Sequence, residues 1–318
     1  MIITKTPLRL TLGGGGTDID KFYKQHGYGM WISGAVNKYI YIIVKDRFEK
    51  EIRVSYSKTE VKSSPELIEH PIVREVLKDL GLKQHLEIAV LSELPSRSGM
   101  GSSGAFTIGL VNALSKYLGL NVLDLPNYAY KVEHDMLRGN VGLQDFYIAA
   151  YGGVRKFQVT KGDLLSNNVI GESTVQNLEN HLSLFFTGVR RTANNILKSQ
   201  QEKEGYLEDM KKILDIGERS VKAIEKCDMV LYGSLLDEHW HVKRSTADDM
   251  TNKGFDKMYK WACENGAFGG KIIGAGGGGY FMFCSKMKKE FERKFQKQFK
   301  ISPTQFRFVN KGSEVYVI

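Results

Sequence analysis

The sequence predicts a fold that mixes helices and strands, either α/β or α+β. Segments with the alternation of strands and segments with the repeat of helices follow one another along all 318 residues. An apolar strand over 86–91 leads through a loop of glycine and serine into a helix over 105–118, which Gly119 ends. Two further glycine clusters, 13–16 and 276–279, interrupt other strands.

Arg9 occupies the polar face of the first predicted strand, 2–12, because leucines at positions 8, 10 and 12 alternate onto the other face. Four glycines end this strand, and Thr17 and Asp18 follow them. This order, in which a glycine cluster and then an acid follow an arginine on a core strand, favours a functional loop. Asp18 as the N-cap of a helix over 19–25 is the structural alternative, and the two interpretations are compatible.

Further elements are predicted from periodicity and from helix start and stop signals. Segments 36–44 and 52–56 are expected to form a pair of strands, and 65–80 a helix. The segment 124–139 is predicted to be a helix that carries Glu133. The remaining elements are strands over 182–187 and 306–318, a strand–loop–strand unit over 271–284, and helices over 206–227, 230–241 and 252–265.

The chain length predicts about two domains. The polar sequence between 155 and 180 locates the boundary, and we divide the chain into 1–165 and 166–318. Hydrophobic residues make up 42% and charged residues 25%, which is typical of a soluble globular protein. Three widely spaced cysteines predict reduced thiols. Because signal-peptide and membrane-span patterns are missing, the sequence predicts a cytoplasmic protein with no membrane partner.

The net charge of +9 suits an anionic ligand and would also suit nucleic acid. Much of it is local, because 286–300 carries seven Lys/Arg against two Glu, with Phe291, Phe295 and Phe299 spaced four residues apart. This pattern predicts an amphipathic helix with a solvated basic face, and binding to a membrane surface or to RNA is the alternative. Single-stranded nucleic acid is typically bound by an aromatic and basic stripe, which the sequence lacks, so a nucleic-acid partner is not favoured.

The loop 99–104 is the best candidate for an anion site. It joins a strand to a helix N-terminus, where unpaired backbone N–H groups and the helix dipole favour negative charge. Its glycines let the backbone approach an oxyanion closely, and the hydroxyls of Ser102 and Ser103 can reach a phosphate or its metal ion. Both 99–104 and 274–279 match G-x-G-x-x-G, the pattern of dinucleotide-binding loops, so a nicotinamide-dependent oxidoreductase is an alternative function. A purely structural turn is the other alternative for such a loop.

Three segments together resemble the GHMP kinases, the superfamily of galactokinase, homoserine kinase, mevalonate kinase and phosphomevalonate kinase. They are 7–18, 94–105 and 274–279, and 133–145 is similar to the acid-bearing segment of galactokinase-like members. Their order and separation fit the family, and the resemblance covers nearly the whole chain. The first segment most resembles the branch that phosphorylates sugars at O1, and within it the D-glycero-D-manno-heptose 7-phosphate kinases.

This resemblance implies a two-domain α+β fold. The N-terminal, nucleotide-binding domain would be like ribosomal protein S5 domain 2 and the C-terminal domain ferredoxin-like, with the active site between them. The implied activity is that of a sugar kinase with ATP and Mg²⁺, acting on a small-molecule sugar or sugar phosphate. D-glycero-D-manno-heptose 7-phosphate is favoured over a free fucose- or galactose-like sugar or a small alcohol. An RNA-binding module remains an alternative, and the sequence carries no signal for an oligomeric state.

The resemblance also implies roles for individual residues. Asp145 would lie beside the attacking hydroxyl as base or electrostatic partner, and Arg9 would neutralise charge near it. Ser102 and Glu133 would hold Mg²⁺, a hard ion that prefers oxygen ligands. ATP would be held by Pro95, Ser98, Gly99, Met100, Gly101, Ser102, Ser103 and Gly104. The substrate would be contacted by Gly15, Gly16, Thr17, Asp18, Gly276, Gly277 and Gly278, and its phosphate by cations such as Arg190 and Lys243.

Two positions of the central loop depart from the pattern of the family that the chain resembles. Met100 stands where Leu is usual, and Gly104 stands where Ala or Ser is usual. Arg97 is a further unusual residue in the loop, which could add a phosphate contact or point to water.

Overall fold

Two β-sheets form the framework of the computed structural model, which describes residues 1–161, 163–191, 193–247 and 250–318. The strands are β1 (Ile2–Gly13), β2 (Gly29–Asp46), β3 (Ile52–Ser55), β4 (Thr59–Lys62), β5 (Leu86–Ser92), β6 (Val154–Thr160), β7 (Asp163–Val169), β8 (Leu182–Phe186), β9 (Ala267–Ile272), β10 (Tyr280–Ser285) and β11 (Glu314–Val317).

The helices are α1 (Asp20–His26), α2 (Pro71–Asp79), α3 (Ser102–Tyr117), α4 (Leu125–Lys131), α5 (Gln144–Tyr151), α6 (Glu172–His181), α7 (Ala193–Glu202), α8 (Tyr206–Glu225), α9 (Met229–Arg244), α10 (Lys253–Glu264) and α11 (Lys288–Phe299). A 3₁₀ turn, Pro65–Leu67, precedes α2, and a π-helical turn, Val132–Met136, follows α4. None of the described helices is long and apolar enough to span a bilayer.

The strand β2 is the centre of the larger, eight-stranded sheet, because its 18 residues serve different neighbours along their length. Residues 29–34 pair with β6, residues 40–46 pair with β5, and β1 lies along the other edge. The strand order is β11-β1-β2-β5-β3-β4, with β7 beside β6. The pair of β3 and β5 is parallel, whereas β1 and β2 are antiparallel.

Three predictions from the sequence need correction. The predicted pairing of 36–44 with 52–56 is wrong, because β5, a later strand, lies between β2 and β3. The predicted helix over 65–80 begins only at Pro71, whose ring cannot continue a preceding helix, so a separate 3₁₀ turn comes before it. The predicted helix over 124–139 changes to the π-helical turn after Lys131.

The chain returns to its first sheet at its end, because β11 pairs with β1 and places Val317 opposite Ile2. In place of the strands expected over 306–318, the structure has β11 and an isolated bridge between Phe308 and Val36. The predicted boundary between 165 and 166 falls within β7, which pairs with β6 in the larger sheet. The division of the chain at that point stays a prediction.

The smaller sheet, in the order β8-β10-β9, is covered by an aromatic core. Phe185 of β8 stacks on Phe295 of α11 with ring centroids 4.0 Å apart, and Phe283 of β10 also contacts Phe295. The basic helix predicted from the sequence is α11, and its Phe291 and Phe295 are buried. Its apolar face therefore belongs to the core of this sheet.

Replacing Phe295 by alanine is expected to lower the free energy of unfolding by about 3–5 kcal/mol, because the side chain is fully buried and leaves a cavity. Phe299→Ala on the same helix is the matched control, since Phe299 is only partly buried and should lose clearly less. Urea denaturation of both variants measures the difference. Equal losses would contradict the assignment of this helix face to the core.

Candidate active site

The loop after β5 gives α3 an N-terminus that no side chain caps. Gly99 and Gly101 have φ angles of 81° and 71°, in the left-handed region that glycine adopts without strain. Gly101 is the N-cap of α3 and has no side chain that could accept from the first N–H groups. The first turn of α3 therefore presents its N–H groups and the positive end of its dipole to an anion.

Arg9 joins β1 to this loop and to α5. Its Nε and Nη2 atoms each lie 2.7 Å from Oδ1 of Asp145, and its Nη1 donates to the carbonyl oxygen of Gly99. The backbone N–H of Arg9 donates to the carbonyl oxygen of Met100 over 3.0 Å. Because both guanidinium contacts reach Oδ1, Oδ2 of Asp145 can still accept a hydrogen bond from a ligand, and this side chain is 27% exposed.

Two glycines of the loop make room for this ion pair. A Cβ atom at Gly101 would lie 3.0 Å from Cγ of Arg9 and 3.2 Å from Cγ of Asp145. At Gly104 it would lie 2.7 Å from Cβ of Asp145, well inside the contact distance of two carbon atoms. Gly104, one of the two departures noted in the sequence, thus lets the first turn of α5 lie directly against α3.

Glu133 is buried beside the start of α3, on the π-helical turn Val132–Met136. Such turns occur frequently at functional sites. Its carboxylate accepts from the hydroxyls of Ser103, at 2.6 Å, and Thr107, at 2.5 Å, which are one turn apart on α3. Burial raises the pKa of Glu133 to about 7, although the two hydroxyls act in the opposite direction, and Asp145 adds to the rise.

Asp18 ties the first glycine cluster to the start of α5. Its Oδ1 accepts from the N–H of Gly16 at 2.8 Å, and its Oδ2 accepts from the N–H of Gln144 at 3.0 Å. Burial raises the pKa of Asp18, and these two N–H groups partly oppose the rise. A Cβ atom at Gly142 would overlap Oδ2 of Asp18. The expected capping of α1 is not observed, because the N-cap there is Ile19, without a side-chain hydrogen bond.

The third glycine cluster packs directly on the loop before α3. A Cβ atom at Gly99 would lie 2.6 Å from the carbonyl oxygen of Ile273, and one at Gly274 would lie 2.6 Å from the carbonyl oxygen of Gly99. A Cβ atom at Gly279 would overlap the carbonyl oxygen of Ser98. The two loops therefore meet backbone to backbone, with no side chain between them.

Two lysines are buried in the wall of the site that α9 and β9 form. Lys243 donates to the carbonyl oxygen of Gly274, and Lys271 is 1% exposed. Burial lowers the pKa of Lys243 to about 7, and burial lowers the pKa of Lys271 well below its ordinary value, with the nearby Arg9 adding to both effects. His239, one turn before Lys243, is also buried, and burial lowers its pKa.

These groups line one cleft of about 440 Å³. Four buried side-chain atoms of its lining have no hydrogen-bond partner within the described part of the chain: Thr11 Oγ1, Gln144 Oε1, Tyr206 Oη and His239 Nδ1. Buried polar atoms in native proteins are nearly always hydrogen-bonded, so this group indicates a polar ligand. A ligand with several hydroxyl groups would provide the donors and the acceptors that these atoms need.

Most site residues predicted from the sequence line this cleft: Arg9, Gly15, Gly16, Asp18, Gly99, Gly101, Ser102, Ser103, Gly104, Glu133, Asp145, Lys243, Gly276 and Gly278. Outside its lining lie Thr17, Pro95, Ser98, Met100, Arg190 and Gly277. Thr17 and Met100 are buried, and the Thr17 hydroxyl is hydrogen-bonded to the backbone of Met30. Arg190 is exposed, whereas the neighbouring Arg191 contributes to the lining.

Sequence reasoning missed three groups of this site. Thr107 follows Ser103 by four residues, which places both hydroxyls on one helix face, and this spacing was available as a signal. Lys271 interrupts an apolar strand immediately before the third glycine cluster. His239 lies two residues before His241 in the sequence, but His241 is exposed beside Asp237 while His239 lines the cleft.

The oxygen and N–H groups of the site fit a nucleotide with Mg²⁺. The uncapped N-terminus of α3 suits phosphate groups. Glu133 and the hydroxyl of Ser102 are oxygen donors at the same helix end, although the hydroxyl that contacts Glu133 is that of Ser103. Within the described residues no three His, Cys, Asp or Glu side chains form a metal cluster. Mg²⁺ at nucleotide sites is commonly held by one or two carboxylates together with phosphate oxygens.

Comparison with known protein families identifies both halves of the chain. Residues 66–153 match the GHMP kinases N terminal domain, and residues 220–301 match the GHMP kinases C terminal. The first match contains the loop before α3, Glu133 and Asp145, and the second contains Lys243, Lys271 and the third glycine cluster.

Individual relatives agree with these matches. The chain is 29% identical over 308 residues to D-glycero-alpha-D-manno-heptose 7-phosphate kinase of Campylobacter jejuni, covering 91% of each chain. It is 30% identical over 214 residues to mevalonate kinase of Methanothermobacter thermautotrophicus, covering 61% of this chain and 62% of that one. The crystal structure of a D-glycero-D-manno-heptose 1-phosphate kinase from Bacteroides thetaiotaomicron is similar to this chain, with a TM-score of 0.81 at 23% identity. The match covers 100% of this chain and 99% of that chain, and it confirms the two-domain α+β fold.

Glu133 is expected to make stability depend on pH. An acid whose pKa is raised in the folded state binds its proton more tightly there, so it stabilises the fold below about pH 4.5, and this contribution is lost as the pH rises through about 7. Between pH 4.5 and 8, urea denaturation should show a decrease in the unfolding free energy that is roughly 3 kcal/mol larger in the wild type than in Glu133→Gln. The exposed Glu225→Gln is the control and should behave like the wild type. Identical decreases in wild type and Glu133→Gln would contradict the raised pKa.

Proposed function

Because the chain belongs to the GHMP kinases and is an ATP-dependent sugar kinase, we propose that it phosphorylates D-glycero-D-manno-heptose 7-phosphate at the anomeric O1, giving the 1,7-bisphosphate. One observation carries the proposed chemistry. Asp145, held by Arg9 through Oδ1, lies against the N-terminal turn of α3 with Oδ2 unpaired in the described part of the chain. An acceptor for a hydroxyl proton therefore lies next to a site for the transferred phosphoryl group.

Phosphoryl transfer depends on positioning and on charge neutralisation more than on covalent chemistry. In the proposed reaction the O1 hydroxyl donates to Oδ2 of Asp145, which orients the oxygen and accepts its proton as the new O–P bond forms. Arg9 stays bound to Oδ1 and compensates the charge that develops beside it. The bond between the γ-phosphorus and the bridging oxygen breaks, and ADP leaves.

The first turn of α3 and the glycine loop hold the phosphates of ATP in this proposal. Glu133 and Ser102 hold Mg²⁺, which when bound neutralises charge on the phosphate oxygens. Ser103 and Thr107 keep the Glu133 carboxylate in one orientation through their hydroxyl groups. Since the pKa of Glu133 is about 7, metal binding near neutral pH requires that the carboxyl group give up a proton.

Two observations support a phosphorylated sugar as the acceptor. The unpartnered atoms of Thr11, Gln144 and Tyr206 provide contacts for hydroxyl groups, and Lys243 provides a cation within the same cleft. The similarity to the heptose 7-phosphate kinase of Campylobacter jejuni extends over 91% of each chain. A small alcohol such as mevalonate, or a free sugar, is the second candidate, because the similarity to mevalonate kinase reaches 30% identity.

The substrate is tested by ADP release with Mg²⁺-ATP against D-glycero-D-manno-heptose 7-phosphate, the free heptose, mannose, mannose 6-phosphate, fucose, galactose and mevalonate. We expect the highest kcat/KM for the heptose 7-phosphate. A higher value for a free sugar or for mevalonate would refute the proposed substrate and retain the kinase. Failure to bind ATP, measured separately by calorimetry, would contradict the assignment of the nucleotide phosphates to the N-terminus of α3.

Replacing Asp145 by asparagine should lower kcat at least about 10²-fold, because the amide cannot accept the proton. The affinity for ATP should change little, since the amide group occupies nearly the same volume beside Gly104 as the carboxylate does. Steady-state kinetics and nucleotide titration separate the two effects. An Asp145→Asn variant with normal turnover would exclude Asp145 from the proton transfer.

A further inference from the structure

Lys243, Lys271 and His239 form a cluster on one wall of the cleft, where α9 faces β9. Burial is the main cause of the lowered pKa values of His239 and Lys271. The charges of both lysines add to the shift at His239, and those of Lys243 and Arg9 add to the shift at Lys271, so the four side chains lie within electrostatic reach of one another. Lys271 is 1% exposed, His239 2% and Lys243 9%. The cluster is therefore part of the protein interior and borders on the cleft.

The lysines of this cluster lack counter-ions. Arg9 has Asp145 as its partner, and Lys243 donates only to a backbone carbonyl oxygen. Within the described part of the chain no carboxylate pairs with Lys243 or Lys271, and Nδ1 of His239 has no hydrogen-bond partner. Buried charges in proteins are normally paired, because desolvation without a partner is strongly unfavourable. This arrangement offers buried amine and imidazole groups to a ligand that carries negative charge.

We propose that Lys243, Lys271 and His239 form the subsite for a phosphoryl dianion, namely the phosphate that the sugar already carries before the reaction. The inference rests on the proposed function for the identity of the sugar. Two ammonium groups and one ring N–H can together donate to the three terminal oxygens of a phosphate monoester. Neither Lys271 nor His239 belonged to the site predicted from the sequence.

The position of the cluster favours the phosphate of the sugar over that of the nucleotide. The nucleotide phosphates already have the uncapped N-terminus of α3, whereas the cluster lies on α9 and β9. Arg9 connects the two regions, because it contacts the loop through Gly99 and its charge reaches both lysines. Asp145 and the cluster line the same cleft, so a sugar that binds there with its O1 hydroxyl at Asp145 can bring its own phosphate to the cluster.

Steady-state kinetics of Lys271→Met test the subsite, because methionine keeps the length of the side chain and removes the charge. Loss of a charge-assisted hydrogen bond should raise KM for D-glycero-D-manno-heptose 7-phosphate about 10- to 100-fold. The increase in KM for the free heptose should be smaller by a similar factor, because this sugar has no phosphate. KM for ATP should change much less. An increase in KM for ATP as large as that for the sugar phosphate would overturn the proposal and assign the lysine to the nucleotide.

Lys288→Met is the matched control. Lys288 is a partly buried lysine of the same half of the chain, and it lies outside the cleft lining. Its ammonium donates to a backbone carbonyl oxygen, as that of Lys243 does. It should leave KM for both substrates unchanged. Thermal unfolding of both variants confirms that they are folded. If Lys271→Met and Lys288→Met have the same effect on KM for the sugar phosphate, the subsite does not exist.

Calorimetry with mannose 6-phosphate and mannose, in the presence of saturating Mg²⁺-ADP, separates this inference from the proposed function. Wild type should bind mannose 6-phosphate more tightly than mannose, inorganic phosphate should compete, and Lys271→Met should lose the preference. This outcome supports the subsite even when the heptose 7-phosphate is not phosphorylated. Phosphorylation of the heptose 7-phosphate with equal efficiency by wild type and Lys271→Met would refute the subsite and keep the function.

Binding of the sugar phosphate should also take up protons at pH 8. Burial lowers the pKa of Lys243 to about 7, and the charged or titratable groups around it are His239 on the same helix, Lys271 on β9 and Arg9 on β1. A bound dianion favours the protonated lysine, so the pKa rises on binding and protons are absorbed. Calorimetric titration of mannose 6-phosphate in buffers of different ionisation enthalpy measures this uptake, which Lys243→Met should reduce. Binding without proton uptake would contradict a dianion at this position.

Discussion

The contact between Arg9 and Asp145 connects the parts of the molecule that build the site. Arg9 comes from β1 and Asp145 from α5, and the same guanidinium holds the carbonyl oxygen of Gly99 in the loop before α3. A planar group with several fixed donors can serve acceptors from different elements at once, which an ammonium group does less well. Removing either partner would leave a largely buried charge unpaired, in a region where Coulomb interactions are strong. This ion pair therefore helps to fix the relative positions of strand, loop and helix.

Burial has opposite consequences for the acids and the bases of this cleft. It raises the pKa of Glu133 and of Asp18, and it lowers the pKa of Lys243 and of Lys271. Both shifts favour the uncharged forms of these groups. Phosphate groups and a metal ion would restore these charges, because each favours the ionised form of the group that it contacts. The groups with shifted pKa values are thus more fully charged in the proposed complex with phosphate and metal than without these ligands.

Sequence patterns located the parts of the site that depend on local chain geometry. The glycine clusters, Arg9 and Asp145 stand out because glycine frees the backbone and because a charge on a core strand is unusual. Local sequence patterns do not predict contacts between distant segments of the chain. The insertion of β5 between β2 and β3, and the approach of Lys271 to His239, are set by tertiary packing. The π-helical turn at Glu133 is a further case, since periodicity predicted a continuous helix there.

The contact between the two glycine loops constrains how this sequence can change over evolutionary time. In an ordinary contact between side chains, an enlarged residue on one side can be accommodated by a smaller residue on the other. Gly99 and Gly274 approach each other through their backbones, so neither has a side chain to lose. No second-site substitution at the partner can therefore compensate for a larger residue at either position. Pairwise covariation between these two positions is therefore not expected.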